Sequence, residues 1–224
     1  MGITTLLYTH TDYSDVWKPF LNRFRKYFPN TKIYFCVNDT KQELPNNITP
    51  IYYNDDKTYT ERLSQCIDQI GSKTVLFIHE DMILYDTPLY DKLEDYSKYV
   101  EEGIAHSIKL IPVGDVISKS EIDKTLIHTT YSKFSIQPTI IHTDNLLCLI
   151  KKAGQVSIWE FESIIEQKDT DYVSCIGTEN KRGIHHFDSK VFPYTATAIV
   201  KGRWNFSEYP NELTEVLFLS LIHI

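Results

Sequence analysis

His79, Glu80 and Asp81 follow directly on an apolar run, Thr74-Val75-Leu76-Phe77-Ile78, in a chain of 224 residues. One imidazole and two carboxylates in succession can ligate a hard cation. Carboxylates this close to an apolar strand are costly unless something positive holds them. Mg²⁺ or Mn²⁺, bridging one or two carboxylates to substrate phosphates, suits such a donor set. The competing reading is a strand that runs out into a solvated acidic turn. The run does not alternate, so it predicts a strand buried on both faces. In an open α/β sheet, ligands bind at the carboxyl ends of such strands.

The elements that must position this triplet are legible upstream of it. Ile3 to Tyr8 predicts a first strand, ending in Thr9-His10-Thr11-Asp12-Tyr13. Val16, Phe20, Leu21, Phe24, Tyr27 and Phe28 follow helical spacing, with Ser14 or Asp15 as the cap and Pro19 tolerated in the first turn. Lys32 to Val37 predicts a second strand ending in Asn38-Asp39, and Ile51 to Tyr53 a third ending in Asn54-Asp55-Asp56. Tyr59 to Ile70 predicts a helix with Thr58 or Thr60 as cap and Gly71 in the C′ position. Strands alternating with helices argue for a mainly parallel sheet, with all four polar strand ends along one edge.

Beyond Leu84 the pattern is looser. A helix is expected over 89–100, a strand over Ile104–Val113, a loop over Ser118–Lys133 and a strand over Phe134–Ile141. Thr143 or Asp144 would cap the next helix, and Ile158–Ile165 predicts a shorter one. From Asp169 to Tyr209 the chain reads as irregular. The apolar end, Val216–Ile224, is too short to span a membrane and reads as an added helix or a truncated continuation.

Hydrophobic content of 42% and charged content of 24% are those of an ordinary soluble domain, and a net charge of −7 argues against a nucleic-acid partner. Cys36, Cys66, Cys148 and Cys175 form no CxxC pair and read as free thiols in a reducing compartment, the first three within apolar segments. No basic segment precedes an apolar one at the start, and Leu6 breaks a myristoylation pattern. A cytoplasmic location without a membrane span is therefore expected.

The ordered set of pieces resembles the nucleotide-sugar-binding half of a GT-A glycosyltransferase. It comprises the first strand and its turn, the strand ending in Asn38-Asp39, then Tyr59-Thr60-Glu61-Arg62-Leu63, then Thr74–Ile78. That family carries an Asp-x-Asp signature after an apolar strand. The matching triplet here is His79-Glu80-Asp81, which keeps the last carboxylate and has His in first position. Phe134-Ser135-Ile136-Gln137-Pro138 with Trp159-Glu160-Phe161-Glu162 is similar to small GT-A enzymes of bacterial and large algal-virus glycan pathways.

The resemblance implies an α/β, Rossmann-like single domain over 1–209. About 1–85 would bind the donor and about 86–209 the acceptor, with 210–224 as a tail. It implies metal-assisted transfer of a hexosyl or deoxyhexosyl group from a nucleotide diphosphate sugar, a UDP-sugar first, to a glycan or glycoprotein. Mn²⁺ or Mg²⁺ would be the cofactor, with Asp81 as first ligand, His79 as a second or a ribose contact, and a late histidine, His185 or His186, as a further one. Thr9, His10, Thr11, Asp12 and Asp39 would surround the nucleoside, with Tyr13 stacked on the base. Arg62 would reach the diphosphate, Glu80 would line it or serve structurally, and Lys201 with Arg203 would form a lid. Gln137 and Trp159 would meet the acceptor.

A transfer with inversion needs a general base, for which Glu160, Glu162 and, less directly, Asp144 are candidates. Glu160 and Glu162, two apart on a helix, point in different directions, so at most one should face the cleft. Two alternatives stay open: an α/β nucleotidyltransferase, and a non-catalytic GT-A-like module. The first normally carries a Gly-rich basic loop after strand one, and Thr9–Tyr13 has neither Gly nor Lys nor Arg. A dinucleotide-binding dehydrogenase is disfavoured by the lack of a GxGxxG after strand one.

Overall fold

The computed structural model describes residues 3–29, 31–40, 44–112, 115–129, 134–164, 172–175, 177–182, 186–200 and 202–222. Its centre is a sheet of nine strands in the order β3-β2-β1-β4-β8-β5-β9-β7-β6. β1 (Thr4–Tyr8), β2 (Lys32–Val37), β3 (Ile48–Tyr52) and β4 (Thr74–His79) run parallel to one another. β8 (Thr139–His142) lies antiparallel between β4 and β5 (Ser107–Lys109), so β5 runs with β4. β9 (Tyr172–Cys175) is parallel to β5, and a hairpin of β6 (Val116–Lys119) and β7 (Leu126–Thr129) closes that side.

The parallel half forms in the predicted order, with β3 beginning at Ile48 and ending at Tyr52 rather than covering Ile51 to Tyr53. β4 sits between β1 and β8, and every residue from Thr74 to Ile78 is buried, which is why the run does not alternate. α1 (Ser14–Tyr27) crosses from β1 to β2 and buries Val16, Trp17, Phe20, Leu21 and Phe24, with Phe20 and Phe24 stacked at 5.2 Å. A short 3-10 turn, Thr11–Tyr13, leads into it. α1 therefore starts at Ser14, which puts Pro19 in the second turn rather than the first. α2 (Tyr59–Ile67) starts with a capping box, in which Thr58 and Glu61 satisfy each other's backbone amides. It ends on Asp68, three residues short of Gly71.

Differences gather in the second half. α3 (Tyr90–Glu101) is where expected. The expected strand over Ile104–Val113 shrinks to β5, and the expected loop over Ser118–Lys133 holds the end of β6 and all of β7. Those strands have four residues each on the rim of the sheet, with β6 fully exposed, so no apolar period marks them. Only the last part of Phe134–Ile141 is strand, because Pro138 lacks an amide and the Ile136 amide is taken by Glu162.

α4 (Thr143–Ala153) is capped by His142, whose ring accepts the Asp144 amide, rather than by Thr143 or Asp144. It ends at Gly154, whose φ of 77° needs glycine. α5 covers Ile158–Ile164. The stretch read as irregular holds β10 (Gly177–Arg182), β11 (His186–Ser189), and the hairpin of β12 (Ile199–Val200) and β13 (Arg203–Trp204).

α6 (Pro210–Ile222) packs on α1: Leu213 and Val216 are buried, and Glu215 pairs with the buried Arg23 at 2.9 Å. Cys36 and Cys66 are buried free thiols; Cys148 is exposed on α4, contrary to its apolar context. Among the described residues, no helix is long and apolar enough to cross a membrane.

Candidate functional site

The register aligns Tyr8 with Cys36 on one side and His79 on the other, and Cys36 with Ile51. The first residues beyond each parallel strand therefore emerge along one edge, and their side chains join. The Thr11 amide donates to Asn38 Oδ1 at 2.9 Å, and Asn38 Nδ2 donates to Thr11 Oγ1 at 2.9 Å. His10 Nδ1 accepts the Asp12 amide at 3.0 Å, which leaves Nε2 to donate to Asp55 Oδ2 at 3.0 Å. Asp55 also holds Arg62 through Oδ1 at 3.0 Å and through its carbonyl. The Arg62 guanidinium lies over the Tyr53 ring at 5.6 Å, and its Nε is buried with no partner among the described residues.

At the centre of this edge stand Glu80 and Asp81. Glu80 is 7% exposed. The Thr9 hydroxyl accepts Trp17 Nε1 at 2.7 Å and opposes the rise of the Glu80 carboxyl, while Glu80 Oε2 is buried with no partner among the described residues. Burial first, and then the neighbouring Asp81 charge, push the Glu80 carboxyl up to about 8. Burial likewise raises Asp81 to about 6. Tyr13 is half exposed, and burial and then the Glu80 charge raise its hydroxyl. Two desolvated carboxylates side by side, one with a free oxygen, make an oxygen donor set short of positive charge. This fits a hard divalent ion that takes its other ligands from phosphate and water. Among the described residues, no group of three or more His, Cys, Asp or Glu side chains is placed to hold an ion by itself.

His79 turns the other way. Its Nε2 meets the Tyr59 hydroxyl at 3.1 Å, and its ring packs 5.3 Å from Tyr8 and 5.5 Å from Phe77. Burial lowers it to about 3, so the imidazole is neutral, and its Nε2 is engaged by the Tyr59 hydroxyl. Thr9 is buried, with its hydroxyl taken by Trp17. Asp12 and Asp39 are exposed at the rim.

The acceptor-side candidates separate. Asp144 follows His142, which is level with Thr74, so it lies at the amino end of β4, roughly 16 Å from His79 along the strand. The antiparallel course of β8 removes it from the site. Glu160 accepts the Ser157 amide at 2.9 Å and the Ser157 hydroxyl at 2.7 Å, capping its own helix from an exposed position. Glu162 turns inward: Oε1 accepts the Ile136 amide at 2.5 Å, and the Tyr59 hydroxyl senses both Glu162 and Glu80. Gln137, two residues ahead of the Thr139 that faces Phe77, lies at the site edge, where its Oε1 accepts the Tyr194 hydroxyl at 2.6 Å. Trp159 is 77% exposed on α5.

Arg203 is exposed on the β12–β13 hairpin, with Gly202 at a φ of 73° in its turn. That hairpin follows Thr195, whose hydroxyl reaches the Asp81 carbonyl at 3.4 Å. Lys201, His185 and the side chain of His186 lie outside the described residues.

Sequence reasoning passed over Asp55 and Lys109. Asp55 had a signal, since it ends a strand just as Asp39 and Asp81 do. Lys109 had one too: a single charge within Ile108–Ile111. It ends β5 fully buried, and burial lowers its ammonium to about 7 against the opposing pull of Glu162.

No family model matches the chain, and no curated protein sequence does. Solved structures do. S. aureus TarS 1–349 in complex with UDP-GlcNAc is 14% identical with a TM-score of 0.51, over 99% of this chain and 66% of that one. The glycosyltransferase GlyE of Streptococcus pneumoniae is 12% identical with a TM-score of 0.50, over 78% of this chain and 45% of that one. A cytidylyltransferase of Francisella tularensis, acting on 2-C-methyl-D-erythritol 4-phosphate, is 11% identical with a TM-score of 0.46, over 79% and 91%. The chain thus spans between about half and two thirds of the two glycosyltransferase chains. At such identities the likeness is one of architecture, and by that measure the chain has the GT-A-like fold of nucleotide-sugar glycosyltransferases.

Proposed function

We propose that the chain transfers a sugar from a nucleotide diphosphate sugar, a UDP-sugar first, to a hydroxyl of a glycan acceptor. The observation that carries this reading is Glu80 Oε2, buried without a partner among the described residues beside a second desolvated carboxylate, Asp81. Asp81 and Glu80 would hold Mn²⁺ or Mg²⁺, an ion that supplies positive charge against the charge developing on the leaving diphosphate. Tyr13 offers a ring face to the base, and Thr11, His10, Asn38 and Asp55 offer hydrogen-bond groups to the nucleoside. Arg62, held by Asp55, offers its guanidinium to a phosphate. Arg203 would close over the diphosphate from the β12–β13 hairpin, and Lys201 would add a second positive charge.

On the acceptor side, Glu162 is the base and Trp159 the apolar face under the acceptor ring. In a single displacement, the acceptor oxygen bonds the donor C1 while the C1–O bond to the diphosphate breaks. The electron pair leaves with the phosphate, and the acceptor proton passes to Glu162.

Binding to the folded state alone raises the melting temperature, so thermal shift against UDP-, GDP- and CMP-sugars, with and without Mn²⁺, tests the reading. A metal-dependent shift with one nucleotide sugar is expected. No shift with any of them would overturn it.

A further inference from the structure

Gln137 stands where two parts of the site meet. It lies two residues ahead of Thr139, which faces Phe77 near the end of β4. The residue before it, Ile136, donates its amide to Glu162 Oε1 at 2.5 Å. Its own Oε1 accepts the Tyr194 hydroxyl at 2.6 Å. Tyr194 forms a bridge with Leu84, and Thr195 donates its amide to the Ile83 carbonyl at 2.9 Å and its hydroxyl to the Asp81 carbonyl at 3.4 Å. One turn of chain thus reaches Glu162 through Ile136 and the Asp81 segment through Gln137. That turn is tied within itself: the Gln137 amide donates to the Ser135 carbonyl at 2.9 Å, and the Thr139 hydroxyl to the Gln137 carbonyl at 2.8 Å. Gln137 is 9% exposed and Ser135 8%, and the Ser135 hydroxyl is buried with no partner among the described residues.

We propose that Gln137 and Ser135 bind hydroxyls of the sugar being transferred, with Tyr194 setting the Gln137 amide. This rests on the transfer reading, with Asp81 at the diphosphate and Glu162 as the base. In a single displacement the acceptor oxygen and the diphosphate lie on opposite sides of the donor C1, so the sugar ring sits between the two. Ser135–Gln137 is the turn that links those two sides. A glutamine side chain offers one carbonyl and one NH₂ group. The Tyr194 hydroxyl occupies the carbonyl, so Nε2 is the end offered to a ligand, and it can only donate. A sugar hydroxyl oxygen accepts from it. The Ser135 hydroxyl donates or accepts and pairs with a second hydroxyl in either sense. Sheltered polar groups of this kind reject a ligand that lacks the matching hydroxyl, because they then stay unpaired. The donor class is therefore a hexosyl group with these hydroxyls intact, rather than a deoxyhexosyl group, and Gln137 serves the donor rather than the acceptor.

The test is calorimetric titration of the full chain with UDP alone and with UDP-glucose, UDP-galactose and UDP-N-acetylglucosamine, each with Mn²⁺ and without acceptor. Gln137→Met keeps length and removes the amide. Gln137→Met with Tyr194→Phe, which removes both partners of the bond, serves should the single variant not fold, and Ser135→Ala removes the second hydroxyl. The tightest of the UDP-sugars should bind each variant about tenfold more weakly, while UDP stays within about twofold of the parent. One monodeoxy form of that sugar should bind the parent protein about tenfold more weakly than the intact sugar, and a variant lacking the matching group should discriminate less than about twofold. Without ligand, Ser135→Ala should melt no lower than the parent, since it deletes a hydroxyl with no partner among the described residues. Equal losses for UDP and the UDP-sugar, or an unchanged UDP-sugar affinity, would overturn the subsite and leave the transfer reading standing. A parent protein that binds neither UDP nor any of the three UDP-sugars overturns the UDP-sugar reading, and the subsite with it.

Discussion

Asp123, at the turn between β6 and β7, receives Lys92 at 3.0 Å, the Thr125 amide at 2.7 Å and the Thr125 hydroxyl at 2.5 Å. Burial opposes its charge, but Thr125 and Lys92 outweigh burial and hold the carboxyl down to about 2. Glu80, at the sheet edge, has one buried oxygen with no partner among the described residues and lies next to the like charge of Asp81. Its carboxyl is pushed the opposite way. Both groups are sheltered carboxylates in one fold. The fold surrounds Asp123 with donors and leaves Glu80 Oε2 with none among the described residues. A structural acid is satisfied by its own chain, whereas a binding acid is satisfied by its ligand.

The largest effect that would sharpen this contrast is on ligand binding. Asp81→Asn should remove the metal-dependent part of nucleotide-sugar binding, a loss of about a hundredfold or more, while the apo melting temperature holds or rises. Calorimetry with and without Mn²⁺ reads the first quantity, and thermal unfolding the second. Donor affinity unchanged with Mn²⁺ present would break the assignment.

Next comes the pH dependence of Glu80. Its folded value lies above its unfolded one, so the native state holds the extra proton between the ordinary carboxylate range and about 8. Stability from that proton is present at low pH and lost as pH rises through about 8. In metal-free buffer Glu80→Gln should therefore stabilise the protein by about 1–2 kcal/mol above pH 8 and by little at pH 4, measured by urea unfolding. Asp123 should respond with the reverse sign. Its folded value is depressed, so its contribution is present above the ordinary aspartate range and lost as pH falls toward 2. Asp123→Asn should cost about 1 kcal/mol at pH 7, and the difference from the parent should vanish near pH 2. The smallest effect is Lys92→Met, a few tenths of a kcal/mol, because its ammonium is a third exposed and Thr125 still holds Asp123. Equal pH responses at Glu80 and Asp123 would dissolve the comparison.

The parallel half was readable because each of its signals is local. Thr74–Ile78 is buried on both faces and so is continuously apolar, and Thr58-x-x-Glu61 is a cap that needs no tertiary partner. The polar strand ends at Thr9, Asn38, Asn54 and Glu80 share an edge because parallel strands share a direction, which follows from the alternation of strands and helices. The β6–β7 hairpin was not readable, since its strands have four residues each and one aliphatic pair apiece, too short to show a period.

What the sequence determined by itself, then, was the sheet around β4 and the chemistry available at its carboxyl end. Tertiary structure decided which of those groups face the cleft. The antiparallel insertion of β8 carried Asp144 to the far edge of the sheet, and no local pattern encodes the direction of a strand of four residues. The packing of Tyr59, Tyr8 and Phe77 turned the His79 ring into the core, although its neighbours Glu80 and Asp81 remain at the site. Ser157 claimed Glu160, while the Ile136 amide drew Glu162 inward. In each case residue type offered the chemistry, and contacts from elements distant in sequence fixed its direction and charge.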